Sequence, residues 1–363
     1  MTREELQGIA AHRLAKSGRL ICQWATGVGK SQVVLKFLQA NPEFDCLILV
    51  PEQNNIQNWE AEFDKFNVPR DKVTIACYAS FHKYKGTRWD LLVFDEAPHV
   101  DTIKRRQICV SVTGEYILAL GAVIDDDERD ALESRYGTFE KSYVSLKKAI
   151  EWGILPCPSI KILEMTLDNN EKKHYYKGYF LTDQQMYDVI NKEQKSAKDS
   201  YEYNPSVFNK NRMLQVGSKR KRFLGELKTE AMKKVCEMLV KQGKRFICFC
   251  VSIAQANELG GENAYTSKTK TSAKVLEKFN NHEIDSIYVV GKLIEGQNLN
   301  DIHCGVIGQL GGTSRITVQE LGRVFRSKDP IVYVPVFADS KDDSFLYTLT
   351  SNIPEDYIKR YKL

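Results

Sequence analysis

Short apolar runs rich in β-branched residues recur along the chain: LICQW at 20–24, CLILV at 46–50, VTIACY at 73–78, DLLVF at 90–94 and YILALG at 116–121. Between several of them lie stretches with apolar residues at helical spacing, such as 31–39 and 54–66. Runs of this length and composition predict buried strands. Strands alternating with helices predict a parallel sheet covered on both faces. The alternation lapses over 168–228, which is polar, aromatic and charged. It resumes with RFICFCV at 245–251, SIYVV at 286–290, CGVIG at 304–308 and IVYVPVF at 331–337. The pattern predicts two α/β domains, 1–163 and 229–363, joined by a mostly helical, basic segment over 164–228.

The chain has 363 residues, enough for two domains of ordinary size. Apolar residues make up 42% and charged residues 27%, a composition that predicts a soluble, well-cored protein. No apolar run approaches the roughly 20 residues needed to span a bilayer, and the N-terminus lacks the pattern of a signal peptide. The nine cysteines are scattered without a CxxC pair, and most sit in apolar runs. These features predict a reduced, cytoplasmic setting without a membrane partner or structural zinc. No heptad run argues for a coiled coil, so a monomer is expected. Net charge is a mild +5, but residues 210–234 hold nine Lys/Arg against two Glu. Such a run is either a solvated helix face or a phosphate-binding patch.

The first candidate for chemistry is ATGVGKS, 25–31, between a predicted strand and a predicted helix. That context is what makes a phosphate loop specific. Gly27 and Gly29 allow the backbone to curl so that N–H groups face a phosphate. Lys30 would reach the β/γ-phosphates of a nucleotide and Ser31 would hold Mg²⁺, at the positive end of a helix. Asp95 and Glu96 follow the apolar run LLVF. Ligands of parallel α/β sheets gather at the carboxyl ends of strands, so Asp95 is expected beside the loop as a Mg²⁺ ligand through water. Glu96 is expected to orient and deprotonate the attacking water. Near the other end, QELGRVFR, 319–326, places Arg323 and Arg326 on one helical face, with Gln319 four residues before the first. An arginine supplied to a transferring phosphoryl group is worth about 10³–10⁵ in rate.

In this order the motifs resemble those of superfamily 2 DEAD/DEAH-like helicases and translocases, in the group of the restriction motors, XPB and UvsW. WATGVGKS looks like motif I, VPEQNNIQNW (50–59) like motif Ia, VTIACYASFHKY (73–84) like motifs Ib/Ic and VFDEAPH like motif II. SLKKAIEWGILPCPSIKI (145–162) is similar to the segment that leaves the first domain. FICFCVSIAQANELG looks like motif IV, VVGKLIEGQNL (289–299) like motif V and QELGRVFR like motif VI. The resemblance implies two RecA-like P-loop domains with ATP bound between them. It assigns Thr26, Gly27, Val28, Gly29, Lys30 and Ser31 to the nucleotide, with Gly296 as a further contact. Gln7 is either the family's adenine reader or a plain helix residue. ATP and Mg²⁺ are the implied cofactors. The implied track is a nucleic acid gripped largely through its phosphates, for which Gln57, Ser80, Ser252 and Thr266 are candidate contacts. Lys219, Arg220, Lys221 and Arg222 would add phosphate contacts. Single-stranded or branched DNA is favoured, and motifs that read mostly backbone leave RNA open. Other replication or repair proteins are possible partners by the same resemblance. Trp59 is expected to pack in the core. The aromatic run HYYKGYF, 174–180, is either a strand-separating wedge or packing, with packing favoured.

The chain departs from the family at a matched pair of positions. Pro98 replaces the fourth residue of motif II, and Gly121-Ala122-Val123 replaces the hydroxyl-bearing residues of motif III. Both sides of the usual polar contact between those motifs are therefore missing, unless His99 takes the role. Motif V carries Asn298 where Asp is common. These departures leave two readings: an ATP-driven motor on nucleic acid, or an ATP-switched clamp or annealing factor with weak or no unwinding. A P-loop kinase fails to explain motifs Ia, V and VI.

Overall fold

A computed structural model describes residues 1–97, 112–266, 272–290, 299, 301–308, 327–351 and 353–363. Pro98, His99, Gly296, Asn298, Gln319, Arg323 and Arg326 lie outside the described residues. By contacts the chain forms two compact units, the first running from Met1 to Pro156 and the second beginning at Cys157.

The first unit is built on six parallel strands: β1 (Arg19–Trp24), β2 (Cys46–Val50), β3 (Val73–Cys77), β4 (Arg88–Phe94), β5 (Thr113–Gly121) and β6 (Glu140–Val144). Their order is β3-β2-β4-β5-β1-β6. The all-apolar β2 and the LLVF half of β4 are fully buried, as strands covered on both faces must be. Around the sheet lie α1 (Arg3–Ser17), α2 (Ser31–Ala40), α3 (Gln53–Lys65), α4 (Asp126–Tyr136) and α5 (Leu146–Glu151). A capping box starts α1, with Thr2 accepting from the Glu5 N–H and Glu5 accepting from the Thr2 N–H. Register sets the site. Phe94 at the end of β4 pairs with Ala119, and Ala119 pairs with Ile21, so the ends of β4 and β1 flank the end of β5.

The second unit has seven parallel strands in the order β11-β12-β10-β13-β14-β7-β15. They are β7 (Ser159–Met165), β10 (Phe246–Cys250), β11 (Ala264–Tyr265), β12 (Ser286–Val290), β13 (Cys304–Ile307), β14 (Ile331–Phe337) and β15 (Ile358–Lys362). The sequence pattern grouped residues up to 163 with the first domain, yet β7 pairs along its length with β14 and β15. The burial of Ile160 and Ile162 between these neighbours explains the placement. Between β7 and β10 the chain forms a hairpin, β8 (His174–Tyr176) and β9 (Tyr179–Leu181). Three helices follow: α6 (Asp183–Tyr203), α7 (Val207–Leu227) and α8 (Thr229–Lys241). Among the described residues the further helices of this unit are α9 (Ile253–Gly260), α10 (Ser272–Asn280) and α11 (Lys341–Thr350). Between α7 and α8, Lys228 is fully buried and paired with Asp342 of α11 at 2.7 Å. Among the described residues no helix is long and apolar enough to cross a membrane.

Candidate nucleotide site

The loop 25–30 leaves the carboxyl end of β1 and runs straight into α2. Gly27 has φ +89° and Gly29 φ +93°, a left-handed backbone that glycine adopts without cost. A Cβ on Gly29 would lie 2.5 Å from Gln7 Nε2, so the loop has no room for a larger residue there. Gln7 is 3% exposed and donates from Nε2 to the Gly29 carbonyl at 3.2 Å. It therefore braces the loop from α1, whatever else it contacts. Trp24, where other phosphate loops have a glycine, is fully buried and donates its indole N–H to Ser142 Oγ of β6 at 2.9 Å. The bulky residue forms a floor beneath the loop. Val28 is fully buried, while Thr26, Gly27, Gly29, Lys30 and Ser31 retain exposed surface. Lys30 Nζ donates to the Trp24 carbonyl at 3.0 Å, a neutral acceptor for which a phosphate oxygen would compete.

Asp95 directly follows β4. Its carboxylate is fixed at both oxygens: Oδ2 accepts from Trp59 Nε1 of α3 at 2.8 Å, and Oδ1 accepts from the Glu96 N–H at 3.1 Å. Its main chain is fixed as well. Its N–H donates to the Leu49 carbonyl at 2.9 Å, and its carbonyl accepts from the Tyr78 hydroxyl at 2.8 Å. Burial, and next the Glu96 charge, push the carboxyl up to about 6, against the pull of the Trp59 N–H and the Lys30 ammonium. At neutral pH Asp95 is thus a partly desolvated anion in the field of Lys30. Glu96 has φ +46°, a conformation that costs a non-glycine residue about 1–3 kcal/mol and is concentrated at functional sites. An anion beside a cationic loop whose glycines curl the backbone fits a phosphate group and its divalent cation. Ser31 and Asp95 would supply oxygens to such a cation, and Lys30 would meet the phosphate.

The end of β5 carries no hydroxyl: Gly121 closes the strand and buried Ala122 follows. Sequence reasoning left Trp59 as core packing and gave Tyr78 no role. The signal for both was their place in the stretches resembling motifs Ia and Ib.

The candidate nucleic-acid residues fall into different surroundings. Gln57 is exposed on α3 and Ser80 is half-buried in the 3₁₀ turn Tyr78–Tyr84. Ser252 is 4% exposed and caps α9 by accepting from the Gln255 N–H at 3.2 Å, and Thr266 is 1% exposed. In the basic run, Lys219 pairs with Glu193 at 2.9 Å and Arg222 with Glu226 at 2.9 Å. Arg220 bonds Asn191 at 2.5 Å, and the Lys221 ammonium lies 5.5 Å from the centre of the Phe345 ring. These four cations already have partners inside the protein. The aromatic run differs from the packing favoured by sequence: it forms the β8–β9 hairpin, on which Tyr175, Tyr179 and Phe180 are exposed. The hairpin is anchored to α6 by Tyr176, the direct partner of Tyr179, which bonds Glu193 at 2.9 Å, and by His174, which bonds Asp183 at 2.6 Å.

No family model matches the chain. It is 24% identical over 361 residues to the DNA 3'-5' translocase XPB2 of Sulfurisphaera tokodaii, a match that covers 90% of this chain and 79% of that protein. The fold is similar to the Hef helicase domain of Pyrococcus furiosus, with a TM-score of 0.57 at 13% identity, covering 94% of this chain and 97% of that one. It is also similar to a DEAD-box helicase solved with single-stranded RNA, with a TM-score of 0.59 at 12% identity, covering 99% of this chain and 74% of that one. The two parallel sheets with their helices match the two RecA-like domains of these helicases. The superfamily 2 helicase and translocase resemblance read from the motif order is thereby borne out in both sequence and fold.

Proposed function

We propose that the chain is an ATP hydrolase that couples turnover to movement along, or remodelling of, DNA. One observation carries the reading. The curled loop at Gly27–Gly29 and the Asp95-Glu96 pair stand at the carboxyl ends of strands separated by one neighbour in a parallel sheet, where such sheets bind ligands. In this reading Lys30 and the loop hold the phosphates. Ser31 and Asp95 hold Mg²⁺, which when bound neutralises phosphate charge. Glu96 takes a proton from the attacking water. Gln319, Arg323 and Arg326 are proposed to complete the site, with Gly296 and Gln7 as further nucleotide contacts. Gln57 and Ser80 are the proposed strand contacts best supported by exposure. The helicase neighbours and the translocase relative support the class of activity, and DNA as the track rests on that relative.

A second reading has a specific observation behind it: the end of β5 lacks the hydroxyls through which the family couples hydrolysis to strand separation. In that case the protein is an ATP-switched clamp or annealing factor. ATP turnover separates the two, measured for wild type and Glu96→Gln with no nucleic acid, single-stranded DNA, duplex or branched DNA, and RNA. A motor is activated by one of these, and the variant loses about 10²-fold or more of that rate. Turnover unaffected by every strand, together with ATP-dependent strand binding, sinks the motor reading and leaves the clamp.

A further inference from the structure

Four groups fix Asp95, and two of them come from the stretches resembling motifs Ia and Ib. Trp59 Nε1 bonds the carboxylate at 2.8 Å, and the Tyr78 hydroxyl bonds the carbonyl at 2.8 Å. That carbonyl belongs to the peptide joining Asp95 to Glu96. The N–H of the same peptide donates to Asp95 Oδ1 at 3.1 Å. Tyr78 therefore clamps the peptide plane that sets the direction of Glu96, whose φ of +46° gives it no relaxed alternative nearby. Trp59 sets the orientation of the cation-binding carboxylate itself. Both side chains are enclosed, Trp59 at 4% and Tyr78 at 1% exposure, and Trp59 packs on Phe63 with ring centres 6.2 Å apart. Neither side chain has room to turn independently of the element that carries it.

The same two elements present a surface outward. On α3, Gln57 is exposed two residues before Trp59, and on the 3₁₀ turn Ala79, His82 and Lys83 are exposed immediately after Tyr78. Each of the two elements is joined to Asp95 or to the Asp95–Glu96 peptide by one side-chain hydrogen bond. Meanwhile the neighbouring strand end, Gly121-Ala122-Val123, has no side-chain hydroxyl with which to perform such a coupling.

We infer that Trp59 and Tyr78 are positioning residues that couple nucleic acid bound on α3 and the 3₁₀ turn to the Asp95-Glu96 pair. The inference rests on the reading of the chain as a nucleic-acid-dependent ATPase. It adds the route by which the strand acts on hydrolysis. The bonds differ in their target: Trp59 acts on cation binding, and Tyr78 on the aim of the general base.

The test uses two changes in the full chain, Tyr78→Phe, which removes only the hydroxyl, and Trp59→Phe, which removes the indole N–H and leaves a smaller ring in the core. The nucleotide is ATP, the probe cation is Mg²⁺, and the strand is the oligonucleotide that most activates the wild type. Trp59→Phe is expected to raise the half-saturating Mg²⁺ concentration at least threefold. Tyr78→Phe is expected to lower kcat at saturating Mg²⁺ and ATP. Each is expected to lower the activation ratio, strand-bound over strand-free turnover, about tenfold, with strand affinity by fluorescence anisotropy within twofold of wild type. A purely structural role would lower the melting temperature and leave the activation ratio and Mg²⁺ dependence of the folded protein unmoved. That result in both variants overturns the coupling while leaving the ATPase reading intact. A wild type that no strand activates removes the reading and the coupling together.

Discussion

The substitution Asp95→Asn separates the stability of the first unit from its chemistry. The Asp95 carboxyl is raised from 3.8 to about 6, first by burial and then by the Glu96 charge. Between those two pH values the folded state holds a proton that the unfolded chain has lost. Stability therefore falls as pH rises through that window and stays lower above it. The shift is 6 − 3.8 = 2.2, and at 1.36 kcal/mol for each pH unit the ionised carboxylate costs the fold about 3 kcal/mol above pH 6. Asp95 keeps some exposed surface, so solvent screening makes this an upper bound. Asparagine carries no charge, but its amide nitrogen cannot accept, so one of the two bonds from Trp59 Nε1 and the Glu96 N–H is lost at every pH, a constant cost of about 1–3 kcal/mol. Relative to wild type, Asp95→Asn is thus expected to gain stability as pH rises from 4 to 8. For a unit of this size, roughly 2–4 °C per kcal/mol gives a gain of up to about 10 °C. Near pH 4 the variant should melt below wild type by the lost hydrogen bond, while Mg²⁺-dependent ATP turnover is lost at every pH. Differential scanning calorimetry across pH 4–8 reads all of this. A melting difference between Asp95→Asn and wild type that stays constant from pH 4 to pH 8 would refute the claim that the carboxylate is held against its solvation.

Gly29→Ala is expected to abolish nucleotide binding in a fluorescent-nucleotide titration, because the new Cβ meets Gln7 Nε2 at 2.5 Å and φ is +93°. Adding Gln7→Ala removes the clash and leaves the backbone conflict, so binding should remain impaired. Lys228→Met removes the cation facing the buried Asp342 carboxylate, and should destabilise the second unit by about 3–5 kcal/mol in urea titration. Lys228→Met with Asp342→Leu should recover most of that loss. Gly225→Ala drives a Cβ to 2.8 Å from the Val251 side chain, and should cost about 1–3 kcal/mol by the same assay.

Much of the fold was legible because burial on both faces leaves a plain signature. β2, β12 and β14 fall at the residues their apolar runs mark, and β1, β4, β5, β10 and β13 within a few residues of them. The strands missed were those whose composition does not require a strand. β6 (EKSYV) and β15 (IKRYK) lie at sheet edges, are polar along much of their length and exist through pairing with β1 and β7. β7 carries no run that the pattern marks as a strand, and its place follows from pairing with β14 and β15. The glycine loop after β1 and the Asp-Glu pair after β4 stand at the strand ends where residue types and order placed them.

The sequence by itself determined the alternation of strands and helices, the loop with its two glycines and the acidic pair after β4. Local chemistry and periodicity dictate those features whatever surrounds them. Only the tertiary structure decided how the acidic pair is held. Trp59 and Tyr78 lie 36 and 17 residues before Asp95, and only the stacking of β3, β2 and β4 brings α3 and the 3₁₀ turn against the end of β4. It likewise decided which side chains the basic run 219–222 meets at the surface of this chain and that Tyr175, Tyr179 and Phe180 of the hairpin are exposed. A run of charges or rings carries no record of which neighbours the fold will give it.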